Sequence, residues 1–394
     1  MRTIGVVTVA RSDYGIYLPM LRLIQADPEL RLALFVTGMH LSPEFGRTVQ
    51  TIEEDGFEIA ERIEMLVSSD TPQAIAKSTG LGLIGFAQAF VNSRPDILVV
   101  LGDRFEMMSA ALAALPFKIP VAHIHGGEVT FGAIDDALRH SITKLSHQHF
   151  VATERYGARV AQLGEFPSRI SVFGAPGLDS IGTTELMSSA ELAAKFNLTI
   201  EGKPLLVTFH PVTLEYEHTE RHISELLVAL DKAALPVIFT MPNADTSGRV
   251  IIRAVNRFVE SHAEAQAVDN LGTRGYFSLM SVASAMVGNS SSGIIEATSF
   301  QLPVVNIGTR QAGRDRARNV IDVGYERSAV LRGIRTAVST EFRNGLRGLK
   351  NPYGRGDASK RIVDRLKTVE LNQELIVKRF HDLPVSASSA ARPA

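Results

Sequence analysis

Between Val121 and His140 the chain reads VAHIHGGEVTFGAIDDALRH. The fourteen residues from His123 to Asp136 carry two imidazoles (His123, His125) and three carboxylates (Glu128, Asp135, Asp136), with three glycines among them. A set of this kind can move protons. Carboxylates gathered at one place push individual pKa values up, so one can donate while another accepts. Gly126 and Gly127 let a ligand approach the backbone closely. Asp103 adds a further carboxylate directly after the apolar run ILVVL. The plainer alternatives are helix caps for Asp103, Asp135 and Asp136 and an exposed loop carboxylate for Glu128. His123 and His125 share one face of an extended strand. A metal pair there is disfavoured, because two histidines alone do not make a site and no HExxH or DxD pattern accompanies them.

A second constellation lies downstream. Gly288-Asn289-Ser290-Ser291-Ser292-Gly293 joins a short apolar run to a helix start. Free N–H groups and hydroxyls at such a start suit an anion, a diphosphate above all. Glu296 either complements the helix dipole or binds a ribose diol beside the phosphates. His210 follows the strand Leu205 to Phe209. Arg11, Arg104, Arg139, Arg310 and Arg314 stand near strand ends or loops, where arginine grips phosphate bidentately. Each of them taken alone is more simply a surface charge. No GxGxxG follows the first strand, and neither a Walker A sequence nor a GxSxG elbow is present.

The elements that must hold these residues alternate. Apolar, β-branched runs at 3–10, 32–37, 97–101, 119–123, 149–153 and 170–173 read as strands buried on both faces. Helical patterns separate them at 17–26, 42–55, 71–94, 109–114, 135–146 and from Arg155. ARSDYG reads as the loop after the first strand. The rhythm repeats with strands at 205–209, 237–241, 285–287 and 303–307 and helices at 223–232, 249–262, 276–283 and from Gly293. Arg361–Leu375 reads as a terminal helix. The pattern implies βαβ units in mainly parallel sheets, an α/β class. Ligands bind such sheets beyond the carboxyl ends of the strands.

Composition narrows the function classes. A chain of 394 residues exceeds one ordinary core, so two domains are expected. The net charge of −1 leaves no footprint for nucleic acid or an anionic membrane surface. There is no cysteine, hence no disulfide framework or thiolate chemistry, in keeping with a cytoplasmic location. The N-terminus reads as a first strand rather than a signal peptide. No uninterrupted apolar run approaches the roughly 18 residues needed to span a bilayer. The boundaries expected are 1–180, 181–360, a returning helix at 361–384 and a disordered tail at 385–394, whose VSASSAARPA composition cannot pack a core.

Taken in order, eight segments resemble the hydrolysing UDP-N-acetylglucosamine 2-epimerases. They are ARSDYG (10–15), VTGMHLS (36–42), LGDRFE (101–106), HIHGGE (123–128), DDALRHSITKLSH (135–147), FHPVT (209–213), GNSSSGIIE (288–296) and IGTRQAGR (307–314). The resemblance runs from the first strand to about Asp322. It implies a GT-B fold, two Rossmann-like domains whose parallel sheets face a central cleft. It also implies conversion of a UDP-2-acetamido sugar and water to UDP and the C2-inverted sugar, by anti elimination to a 2-acetamidoglucal and syn hydration. The product expected is N-acetylmannosamine, for sialic-type acid biosynthesis. A UDP-2,4-diacetamido-2,4,6-trideoxy sugar, for legionaminic acid, is the alternative substrate, and a GT-B glycosyltransferase the alternative activity. No metal or redox cofactor, nucleic acid or membrane partner is implied, and a homo-oligomer, dimer or tetramer, is expected. By resemblance Asp103 and Asp135 belong to the acid/base set and His210 contacts the leaving diphosphate. Asn289, Ser290, Ser291 and Gly293 form the phosphate grip, Glu296 holds the ribose, and Arg11, Arg104 and Arg310 are anion contacts. Many members read HIEGGE where this chain reads HIHGGE. The role of that glutamate falls here to His125 or to Glu128.

Overall fold

The computed structural model describes residues 1–69, 71–129, 134–200, 202–241, 248–268 and 271–383. The expected tail at 385–394 lies outside them. Two compact units result. The first takes in residues 1–128, 134–174 and the chain from Asp357 onward, and the second 129–133 and 175–356.

In the first unit the described residues form a seven-stranded sheet. Its strands are β1 (Arg2–Thr8), β2 (Leu30–Thr37), β3 (Ile59–Ile63), β4 (Ile97–Leu101), β5 (Val121–Ile124), β6 (Gln148–Val151) and β7 (Ile170–Val172). The order is β3-β2-β1-β4-β5-β6-β7 and every pairing is parallel. The apolar runs seen in the sequence are the central strands. Ile4, Val6, Leu34, Ile97, Val99 and Val121 are fully buried, as a sheet covered on both faces requires.

Two expectations are corrected here. Arg11–Ala26 is one continuous helix with Pro19 inside it, so ARSDYG is a helix start rather than a loop. The helix expected at 42–55 is broken: Pro43–Phe45 is a short 3-10 turn, Gly46 takes φ +81, and only Val49–Glu54 is α-helical. A left-handed residue cannot continue a right-handed helix. β3 was not foreseen, because IAERI is a partly exposed edge strand with little apolar signal.

The helix Pro72–Asn92 is, by length and composition, long and apolar enough to cross a membrane. Lys77, Ser78, Thr79, Gly80, Gly82 and Gly85 interrupt its apolar run. Phe86, Ala89 and Phe90 on this helix pack into the core of the first unit.

Among its described residues the second unit repeats the design with six strands: β8 (Leu205–Thr208), β9 (Val237–Thr240), β10 (Ala265–Val268), β11 (Ala285–Gly288), β12 (Val304–Ile307) and β13 (Val320–Val323). Their order is β10-β9-β8-β11-β12-β13, again all parallel. Gly288 closes β11 at φ +139, and a Cβ there would collide with the Thr208 carbonyl of β8.

The single terminal helix expected at 361–375 is two pieces, Ala358–Thr368 and Gln373–Ile376, and Ile362, Val363 and Leu366 of the first complete the core of the first unit. The chain then runs on across that unit. Lys378 Nζ donates to the carbonyls of Thr143 (3.2 Å), Lys144 (2.6 Å) and Ser146 (2.5 Å) at the end of the helix Ile134–Leu145. An ammonium there complements the negative end of the helix dipole. It also pairs at 2.9 Å with Glu165, whose side chain is 2 % exposed and receives Lys144 (2.6 Å) and His149 (3.0 Å) as well. Burial alone would raise the Glu165 pKa. The hydrogen bonds and charges of His149, Lys144 and Lys378 outweigh it and hold the group at about 2.

Two stability predictions follow from these contacts. The folded Glu165 pKa lies below its usual 4.5, so its contribution is complete above pH 4.5 and is lost as pH falls toward 2. Acid titrations of unfolding free energy for the parent and Glu165→Gln should therefore converge across that window. A gap that stays constant would contradict the assignment. Gly288→Ala should cost about 2 kcal/mol or more, from backbone strain and overlap. Gly15→Ala, in open helical space, should instead add up to about 1 kcal/mol. Thermal unfolding of both variants checks the pair.

Candidate active site

In the first unit the sheet order places β4 beside β1, while the helix after β1 leads away to β2 on the other side. The loops after β1 and β4 therefore part at this point, and ligand sites form where they do. Asp103 follows Gly102, which turns at φ +75. It is not a helix cap: the cap position of the helix Phe105–Ala114 is Arg104, with no side-chain capping bond. The Asp103 carboxylate pairs with Arg139, which is 3 % exposed. Arg139 also donates to the His125 carbonyl at 2.9 Å, so one buried guanidinium ties the loop after β4 to the loop after β5. This corrects the reading of Arg139 as a surface charge or phosphate ligand.

His125 itself takes φ +64, a costly conformation for a residue with a Cβ. Its N–H is held by the Phe150 carbonyl at 3.0 Å. Its Nδ1 lies 2.6 Å from Glu128 Oε1, and both side chains are buried. A carboxylate can only accept, so Nδ1 carries a proton in this contact. His123 does something different. Its Nε2 is 2.8 Å from the Gly102 carbonyl and its Nδ1 3.1 Å from Thr143 Oγ1. Burial drives its pKa down to about 3, so it is a neutral packing residue with both nitrogens engaged. Among the described residues no group of three or more His, Asp or Glu side chains is arranged to hold a metal ion.

Asp135 and Asp136 both lie inside the first turn of the helix Ile134–Leu145 rather than before it. Burial raises the Asp135 pKa, and the negative charge of Asp103 raises it further, against the opposing pull of Arg104 and Arg139. Asp136 pairs with His140 at 3.6 Å.

The sequence reading named no role for two other carboxylates here. Glu106 is fully buried and forks Arg104 through Nε (3.1 Å) and Nη2 (2.9 Å). Asp13 accepts from Thr8 Oγ1 (2.7 Å), Val9 N (3.0 Å) and Ala10 N (2.7 Å). Burial pushes Asp13 up to about 6 despite these donors. Its place three residues into a helix start was the readable clue. Arg11 lies exposed at the first position of that helix.

In the second unit β8 and β11 are neighbours at the corresponding switch point. Asn289, fully buried after β11, is the hub. Its side chain accepts from His210 N at 2.7 Å and donates to the His210 carbonyl at 2.8 Å. Its own carbonyl receives Arg310 Nη1 (3.0 Å) and Gln311 Nε2 (2.9 Å). His210 Nδ1 is buried without a hydrogen-bond partner among the described residues, and burial together with Arg310 lowers the ring to about 3. Ser290 caps the short helix Ser291–Ile294, bonding Ser292 N at 3.4 Å and Ser292 Oγ at 2.8 Å. Tyr276 donates to Ser292 Oγ at 3.2 Å, a contact the sequence reading did not include. Gly293 packs against Val304 of β12. Glu296 stands just beyond the helix, where its charge reaches Tyr276. The helix expected from Gly293 to Ser299 is thus two short pieces, with Ala297–Phe300 a 3-10 turn.

The profile of the UDP-N-acetylglucosamine 2-epimerase family matches residues 22–367. The chain is 40 % identical over 82 % of its length to the GDP/UDP-N,N'-diacetylbacillosamine 2-epimerase (hydrolyzing) of Campylobacter jejuni, covering 84 % of that protein. It is 36 % identical over 96 % of its length to the UDP-N,N'-diacetylbacillosamine 2-epimerase (hydrolyzing) of Legionella pneumophila, covering 99 %. To the UDP-N-acetylglucosamine 2-epimerase of Neisseria meningitidis serogroup B it is 31 % identical over 97 %, covering all of that protein. A solved UDP-GlcNAc 2-epimerase from Neisseria meningitidis, bound to UDP-GlcNAc, superimposes with a TM-score of 0.79 at 19 % identity, over 93 % of this chain and 99 % of that one. That likeness establishes a GT-B-like fold of two parallel sheets. The chain belongs to the UDP-N-acetylglucosamine 2-epimerase family.

Proposed function

We propose that the protein is a hydrolysing nucleotide-sugar 2-epimerase of nonulosonic acid biosynthesis. It takes a UDP-2-acetamido sugar and water to UDP and the free, C2-inverted sugar. The observation that carries the site reading is the pair Asp103 and Asp135. Asp103 is tied to a permanently charged arginine, and Asp135 is raised by burial and by Asp103. Two carboxylates in one cluster, one of them raised by burial and by its neighbour, can supply a donor and an acceptor together.

The C2 proton is weakly acidic, so its removal needs a placed base and a stabilised leaving group. Asp103 and Asp135 are assigned the proton transfers at C2 and C1. The His125–Glu128 pair supplies the third acid/base group, since an imidazole oriented at Nδ1 by a carboxylate leaves Nε2 for proton transfer. Arg104, steadied by Glu106, and Arg11 are anion contacts. His210, Asn289, Ser290, Ser291, Gly293 and Arg310 take the diphosphate, and Glu296 the ribose.

Of the two sugars, the relatives at 40 % and 36 % identity favour UDP-N,N'-diacetylbacillosamine. The relative at 31 % supports UDP-GlcNAc as the second reading. We assign a homo-oligomer, dimer or tetramer. Support comes from Leu81, Ile84 and Val91, which are 47 %, 70 % and 68 % exposed on one helix, and light scattering tests it. A cytoplasmic location accords with the lack of cysteine.

Both sugar nucleotides should be assayed in heavy-oxygen, deuterated water. The favoured substrate should yield UDP without an added acceptor and a product labelled at C1 with oxygen and at C2 with deuterium. A retained C2 hydrogen with acceptor-dependent UDP release would point to a glycosyltransferase instead. Asp103→Asn and Asp135→Asn should each lose about 100-fold or more in kcat while still binding UDP by calorimetry. Full turnover in either variant removes that residue from the mechanism.

A further inference from the structure

The second unit contains a carboxylate that neither the motifs nor the proposed chemistry uses. Glu215 lies in the 3-10 segment Thr213–His218, five residues beyond His210. Its Oε1 accepts from Thr309 Oγ1 at 2.6 Å, and its Oε2 accepts from the Tyr325 hydroxyl at 2.6 Å. Thr309 directly precedes Arg310. The Tyr325 oxygen in turn accepts the Thr309 N–H at 3.3 Å. One side chain thus joins the segment that follows His210 to the segment that carries Arg310.

The far end of this link is itself held. The Tyr325 ring stacks on His222 with centroids 3.5 Å apart and planes within 1°. It also lies against Gly308, where a Cβ would collide with the ring. Two residues on, Arg327 N and Nε donate to Glu225 at 2.7 and 3.0 Å. His222 and Glu225 belong to the same helix, Thr219–Ala233. Tyr325 therefore presents its hydroxyl from a fixed position, and Glu215 transmits that position to both loops.

We propose that Glu215 is a positioning residue, clamping the His210 and Arg310 loops at the spacing a nucleoside diphosphate requires. The proposal rests on the reading of His210 and Arg310 as diphosphate contacts. Asn289 holds His210 through both of its backbone groups and receives the Arg310 guanidinium on its own carbonyl, and Glu215 adds a second link between the two loops. An ionised acceptor shared by two hydroxyl donors is the stronger kind of hydrogen bond. Thr309 is exposed and Glu215 half-buried, so the link adds little to the core.

The test uses the full chain, with UDP as the calorimetric ligand and the turned-over UDP-sugar as substrate. Glu215→Ala should raise the Kd for UDP and the KM about fivefold to tenfold, the worth of one or two hydrogen bonds. kcat should fall less than KM rises, and the thermal midpoint should stay within about 3 °C of the parent. Glu215→Gln, which keeps one acceptor, should recover most of the affinity. Tyr325→Phe should weaken binding as well, and adding it to Glu215→Ala should cost nothing more. If Arg310→Ala loses UDP while Glu215→Ala binds it like the parent, the clamp is wrong and the site reading stands. If Arg310→Ala and His210→Ala both bind UDP like the parent, the site reading falls and the clamp with it. Should Glu215→Ala fail to fold, Tyr325→Phe decides: a raised KM at an unchanged midpoint supports the clamp, and an unchanged KM overturns it.

Discussion

A parallel sheet sends the carboxyl end of every strand to the same edge, and this constraint underlies both candidate half-sites. At the β1–β4 boundary in the first unit, and at β8–β11 in the second, consecutive crossovers leave in opposite directions. The loops on either side part, and backbone that would otherwise be covered becomes reachable. Such loops need cross-ties, since their own backbone groups have no strand to pair with. Each unit supplies a buried one. Arg139 joins Asp103 to the His125 carbonyl, and Asn289 joins His210 to Arg310. Both ties use planar groups with several donors or acceptors fixed in direction, which suits them to bridging two loops at once.

The electrostatics of the first unit follow from where the arginines sit. A guanidinium keeps its charge at any working pH, so Arg139 and Arg104 act as fixed positive sources within a partly buried acidic cluster. Burial raises Asp13 and Asp135 alike, but only Asp135 has Asp103 as a like-charged neighbour among its main influences. The two imidazoles separate for a related reason. His123 is enclosed by Gly102 and Thr143 and stays neutral, whereas His125 is turned to a carboxylate by a backbone conformation rare for its residue type.

The central strands were legible because burial on both faces writes continuous apolar runs into the sequence. The three strands missed, β3, β10 and β13, all lie at sheet edges, where one side lacks a neighbour and polar residues are tolerated. Motif residues were marked by their place after strands, although glycine, aspartate and serine there also serve turns and caps. Their partners were not. Arg139, Glu106 and Glu215 act through contacts 36, 2 and 110 residues away, and nothing in local spacing separates a buried arginine from a solvated one. Glu106 was close enough in sequence, but its fork on Arg104 depends on complete burial, which only the packed helix reveals.

The returning chain has a consequence for the order in which the two units can be completed during synthesis. Residues 175–356 hold nearly all of the second unit in one continuous stretch, so it can finish as soon as that stretch has left the ribosome. The first unit is different. Its sheet is made early, yet Ile362, Val363 and Leu366 of its core and the Lys378 contact to the end of the Ile134–Leu145 helix arrive last. That helix carries Asp135 in its first turn. The unit begun first is therefore finished last, and a chain stopped short of Lys378 would leave the helix bearing Asp135 without its C-terminal cap.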